Sequence, residues 1–101
     1  MKTPTQAHTM QQNAAQAEAM LKMLANQNRL MLLCHLVKGE KTVNELVSSG
    51  SMSQSSVSQH LARLKALELV DSRKEGKQVY YWISSPEVEA ILSTLYLIYC
   101  R

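Results

Sequence analysis

Apolar residues recur at helical intervals through most of this chain, and turn residues mark each interruption. From about Met10 to Leu24, the residues Ala14, Ala17, Met20, Leu21 and Leu24 lie three or four apart in an Ala- and Gln-rich segment of good helix propensity, which predicts a first helix. Asn26 to Asn28 interrupt it. Arg29 to Val37 carry Leu30, Leu33, Cys34 and Val37 on one stripe, a short second helix ended by Lys38-Gly39. Thr42 and Glu45 stand in the T-x-x-E spacing of a capping box, in which hydroxyl and carboxylate each satisfy an unpaired backbone N–H at a helix start. A third helix therefore begins there and is broken by Gly50 and Ser51. Ser53 can cap a fourth, whose Val57, Leu61 and Leu64 recur at four and three.

Beyond Leu69 the pattern changes. Residues 69–83 hold two β-type runs around Glu75-Gly76, where glycine can supply the positive φ of a tight hairpin, and Val79, Tyr81 and Ile83 share one face. Ser84 and Ser85 then precede Pro86, which a first helical turn tolerates, and Glu87 adds a favourable charge at the N-terminal dipole of a last helix running to about Cys100. The predicted fold is mainly α with a small β-hairpin: five helices, the two strands lying between the fourth and fifth, in the order of a winged helix-turn-helix. Residues 1–9, polar with Pro4 and no periodicity, are expected to form a flexible tail, and 10–101 a single DNA-binding and dimerisation domain.

The last helix is unusually apolar. Val88, Ile91, Leu92, Leu95, Tyr96, Leu97, Ile98 and Tyr99 cover more than one face, more surface than one small core can bury, so a second partner surface is expected. A homodimer joined through the first and last helices follows. Its twofold axis would set two reading helices about 34–36 Å apart and make the operator an inverted repeat.

Residues 42–65 carry most of the chemistry. Opposite its apolar stripe the fourth helix shows Gln54, Ser55, Ser58 and Gln59, short or amide side chains that can approach base edges and phosphates without filling the groove. Arg73, Lys74 and Lys77 surround the hairpin turn as a cationic tip suited to phosphate or minor-groove contact. Solvated hairpin tips are commonly charged, so the weight of this one lies in its position directly after the helix pair. A net charge of +3 and a pI near 9.0 permit DNA binding without demanding it, and the surplus is local: five basic residues against three acidic ones between Arg63 and Lys77.

Length and motifs bound the remaining classes. One hundred and one residues make about one domain. The first residues lack the apolar core of a signal peptide and no apolar run is long enough to span a bilayer, so a cytoplasmic protein without membrane contact is expected. With no C-x-x-C pair, no Ser–His–Asp arrangement and no glycine-rich phosphate loop, an enzyme is not expected, nor is a cofactor.

The segment from Leu24 to Ile83 resembles the core of ArsR-type winged-helix repressors, and the likeness extends over residues 14 to 100 or so. Its most specific parts are Ser56-Val57-Ser58-Gln59-His60-Leu61 and the L-x-x-L-x-L-V run from Leu64 to Val70. The resemblance implies that Gln54, Ser55, Ser56, Ser58, Gln59, His60 and Arg63 lie on or near the DNA-reading helix, with Arg73, Lys74 and Lys77 on the wing. His60 has a second reading, as a packed and hydrogen-bonded helix residue between Val57 and Leu61. Many members of that family sense metals through a cysteine pair early in the first motif helix, or through His and acidic ligands on the last helix. Val43, Asn44 and Glu45 occupy the first place here, the last helix offers only Glu87 and Glu89, and Cys34 and His35 diverge on a helix, so no metal site is expected.

Cys34 and Cys100 are the whole cysteine inventory. By itself Cys34 reads as a small hydrophobe on its stripe, whereas Cys100, at a helix end, has no packing reason to exist. In a reducing cytoplasm a pair that can meet is better read as a redox switch than as a permanent bridge. The placement resembles the dithiol subgroup of the family, the sulfide- and persulfide-responsive repressors, which implies that Cys34 and Cys100 become joined by a disulfide or a polysulfide bridge on exposure to a low-molecular-weight persulfide or another thiol oxidant, and that the repressor then leaves DNA. A direct disulfide needs Cα atoms within about 7 Å, and added sulfur atoms would relieve a wider spacing. Two other readings stay open: an activator of virulence genes that displaces a silencer, and a winged-helix interaction module that binds no DNA.

Overall fold

The computed structural model describes residues 4–100, with side chains for residues 9–99. Along the chain run α1 (Pro4–Leu24), α2 (Gln27–Val37), β1 (Lys41–Thr42), α3 (Val43–Ser48), α4 (Gln54–Ala66), β2 (Val70–Glu75), β3 (Gln78–Ile83) and α5 (Pro86–Leu95), which continues as a π-helical turn over Tyr96–Cys100. This is the expected helix-turn-helix with its hairpin wing. The local signals act as anticipated: the Thr42 hydroxyl accepts from the Glu45 N–H at 3.0 Å while Glu45 Oε1 accepts from the Thr42 N–H at 2.8 Å. Ser53 and Ser85 cap α4 and α5 by accepting from the backbone N–H groups of Ser56 and Val88.

Four features differ from expectation. α1 begins at Pro4 rather than near Met10, because proline fits a first turn and nothing in residues 5–9 breaks a helix; the expected tail is thus helical from its fourth residue, and residues 1–3 lie outside the described residues. A third strand, β1, pairs antiparallel with β3 to give the sheet order β1-β3-β2. Two residues are too few to show a period of two. On α2 the fully covered residues are Leu32, Leu33 and Leu36, while Leu30, Cys34 and Val37 pack half-buried on the flank. With apolar residues at 30, 32, 33, 36 and 37, two overlapping stripes were available, and packing against α5 and β3 selects one. Finally, the last turn of the chain is π rather than α, a widening with no sequence signature.

The core joins Leu32, Leu33 and Leu36 to Leu46 of α3, Val57, Leu61 and Leu64 of α4, Val70 and Ile83 of the wing strands, and Val88 and Leu92 of α5. It fixes α4 by its apolar side and leaves the opposite side to solvent. At the far end of α4, Glu68 adopts φ 63° while the Leu69 N–H donates to the Leu64 carbonyl at 3.0 Å, a Schellman-type stop that turns the chain directly into β2. In the wing, Glu75 pairs with Gln78, so Gly76 and Lys77 form a two-residue loop, and Gly76 takes the positive φ that the loop requires.

Candidate nucleic-acid interface and dithiol positions

Because Val57, Leu61 and Leu64 point into the core, Gln54, Ser55, Ser58, Gln59 and Arg63 are exposed on α4, and Ser56 and His60 are half-buried at its edges. Gln54 and Ser58 share a polar groove of about 310 Å³ with Asn44 at the start of α3 and with Lys77, Gln78 and Tyr81 of the wing. The structure therefore brings the head of α4 and the tip of the hairpin to one surface. Asn44 and Gln78 were not singled out from the sequence. Each is an ordinary polar residue at an element start, and the groove exists only once three separate elements meet.

The wing tip is not three equivalent cations. Lys74 and Lys77 are exposed, and among the described residues neither makes an ion pair. Arg73 instead pairs with Glu40 at 2.6 Å and Glu75 at 3.1 Å and lies 4.8 Å from the centre of the Tyr80 ring. The Glu40 bond first, and then Glu75, push its pKa up further. Behind the wing, Lys65 Nζ donates to the Ser72 hydroxyl at 2.8 Å and ties α4 to β2.

His60 faces Arg29 and Arg63. Burial first, then the charges of Arg29 and Arg63, hold its imidazole below the ordinary value of 6.5, so at neutral pH it is an uncharged hydrogen-bonding group. The same shift links it to stability. The unfolded chain takes up the proton near 6.5 while the folded protein resists it, so the contribution is fully present above 6.5 and is lost as pH falls through the folded value. His60→Gln is expected to flatten the fall in melting temperature between roughly pH 7.5 and 5.5. An unchanged slope would assign the acid sensitivity elsewhere.

Cys34 lies half-buried on the flank of α2 and lines an open, mainly apolar cavity of about 550 Å³ with Leu30, Met31, Lys38 and Tyr96 among its walls. Tyr96 begins the π turn that ends at Cys100, and the Lys38 ammonium sits 5.8 Å from the centre of its ring. α2 thus packs beside both α5 and the π turn. The side chain of Cys100 lies outside the described residues. Among the described residues no three His, Cys, Asp or Glu side chains converge as metal ligands would, and no helix is long and apolar enough to cross a membrane.

This arrangement, a capped helix-turn-helix whose second helix meets a hairpin wing, is shared with known proteins. The bacterial regulatory protein arsR family model matches residues 26–72. The transcriptional activator HlyU of Vibrio cholerae is 44% identical over 98 residues, which cover 97% of this chain and 91% of the relative. The structure of reduced HlyU superposes with a TM-score of 0.87 at 45% identity, covering 92% of this chain and 98% of that one. The chain belongs to the ArsR family. Like its relatives in that family it is a transcriptional regulator, with a DNA-binding fold rather than an enzyme's. The biofilm growth-associated repressor of Agrobacterium fabrum is 36% identical, covering 90% of this chain and 78% of the repressor. A homodimeric winged helix-turn-helix DNA-binding domain from Mycobacterium bovis superposes with a TM-score of 0.71 at 29% identity, covering 96% of this chain and 86% of that one. ArsR-type regulators of both signs, activator and repressor, are therefore among the relatives.

Proposed function

We propose that the protein is a homodimeric repressor that occupies an inverted-repeat operator through α4 and the wing, and leaves it when Cys34 and Cys100 are joined by a disulfide or polysulfide bridge in response to persulfides or other reactive sulfur species. The observation that carries the DNA reading is the groove in which Gln54 and Ser58 of α4 meet Lys77 of the wing. Amide and hydroxyl groups at the head of a helix suit base edges, and exposed lysines beside it suit phosphates. Ser55, Gln59, His60 and Arg63 continue the same helix towards the flanking backbone.

Dimerisation is supported by apolar surface that the folded chain leaves uncovered. Leu97, Ile98 and Tyr99 are 63%, 59% and 78% exposed at the end of the last helix, and Leu21 is 50% exposed beside Ala14 and Ala17 on α1. Together with the homodimeric neighbour from Mycobacterium bovis, this favours a twofold pair joined through α1 and the last helix. The switch is supported by the packing of α2, which carries Cys34, beside the turn that carries Cys100. Closing a bridge between them couples the dimer elements to the core that holds α4.

One observation favours a second reading: HlyU, named as an activator, is more similar to this chain than the Agrobacterium repressor is. Both outputs need the same act, occupation of an operator, and differ in what is displaced from it. A reporter fused to the gene's own upstream region decides between them. Expression that rises when the regulator is deleted supports repression, and expression that falls supports activation.

A further inference from the structure

We infer that Arg73 is a positioning residue of the wing, held by Glu40 as a clamp across the sheet, rather than a phosphate contact. The inference rests on the proposal that this surface binds DNA and deepens it. Arg73 stands on β2 opposite Tyr80 of β3, and Tyr80 in turn stands opposite Thr42 of β1, so one row crosses all three strands. The guanidinium lies over the Tyr80 ring and reaches Glu40, in the connection between α2 and β1. It therefore joins the outer strand of the wing to the chain segment that leaves α2, over the top of the central strand.

Three physical points favour the clamp. The guanidinium has one carboxylate on each of its two terminal nitrogens and a ring beneath one face, so an approaching phosphate would compete with Glu40 and Glu75 for its donors and meet their charge as well as the cation. Lys74 and Lys77 carry no such partners among the described residues and supply the positive charge instead. β1 contributes only two residues to the sheet, too few to fix the wing by backbone pairing alone, so a cross-strand tie has something to add. The clamp also fastens the wing to the end of the helix that bears Cys34.

The test compares Glu40→Gln, Arg73→Lys and Arg73→Gln in the full-length reduced protein, by DNA titration over a range of salt and by amide hydrogen exchange of the wing. An ion pair this open to solvent contributes modestly, so each variant is expected to weaken binding about two- to fivefold. The salt slope should stay at the wild-type value and the β1–β3 amides should exchange faster. Arg73→Lys keeps the charge but loses the fork, so it is expected to fail as a rescue. The inference is overturned if Glu40→Gln binds DNA as well as or better than wild type, or if Arg73→Lys behaves as wild type while Arg73→Gln lowers the salt slope by about one. Should the wild-type protein bind no DNA at all, the DNA reading fails; hydrogen exchange alone then decides the clamp, and unchanged wing amides in Glu40→Gln overturn that too.

Discussion

Joining Cys34 to Cys100 is expected to weaken operator binding about a hundredfold while making the protein harder to unfold. A hundredfold requires only about 2.7 kcal/mol of difference between DNA-competent and incompetent arrangements, within reach of a shift between two packed states. The bridge would fix α2 to the end of the last helix, and both neighbour the surfaces proposed for dimerisation, so the separation of the two α4 helices changes with it. The same bridge closes most of the chain into a loop and removes roughly 4 kcal/mol of freedom from the unfolded state if it forms without strain. Weaker binding together with a higher melting temperature is thus the signature of the switch. Cys34→Ser and Cys100→Ser should each bind DNA like the reduced wild type and ignore the persulfide. Intact mass separates a disulfide, which loses hydrogens only, from a polysulfide, which gains sulfur. A full response in Cys34→Ser would remove that residue from the mechanism.

Replacing both Lys74 and Lys77 by alanine is expected to weaken DNA binding roughly tenfold at physiological salt and to lower the salt slope by about two, since each phosphate contact releases close to one counterion. The loss should be nearly uniform across operator variants, because phosphate contacts carry no sequence information. Gln54→Ala or Ser58→Ala should instead change the preference among operators and leave the salt slope alone. These two classes of result separate positioning from reading. A double lysine variant with unaltered affinity and slope would detach the wing from DNA and favour an interaction module.

Most of the architecture was legible because its signals are local. A capping box at Thr42 and Glu45, a serine cap at Ser53, a glycine at position 76 and Pro86 after two serines each act over three or four residues, and each is used in the fold as its chemistry implies. What escaped depends on residues distant in sequence. The Glu40 partner of Arg73, the Arg29 neighbour of His60 and the place of Asn44 and Gln78 in the α4 groove arise only when separate elements are packed together. The buried stripe on α2 is displaced by about one residue from the expected one because Leu32 and Leu36 extend the apolar surface along one side of it, so the core rather than the period decides. In sequence the wing tip is a run of like charge, whereas in the fold neighbouring carboxylates divide it into one engaged arginine and two lysines that make no ion pair among the described residues.

The most direct measurement is a titration of a fluorescent fragment of the gene's own upstream region with reduced protein, repeated after exposure to a low-molecular-weight persulfide. Tight, salt-dependent binding by the reduced protein is expected, and its loss after treatment, in step with the appearance of the bridged species by mass. Equal binding in both states would contradict the dithiol switch, and no binding in either state would contradict the DNA reading of α4 and the wing.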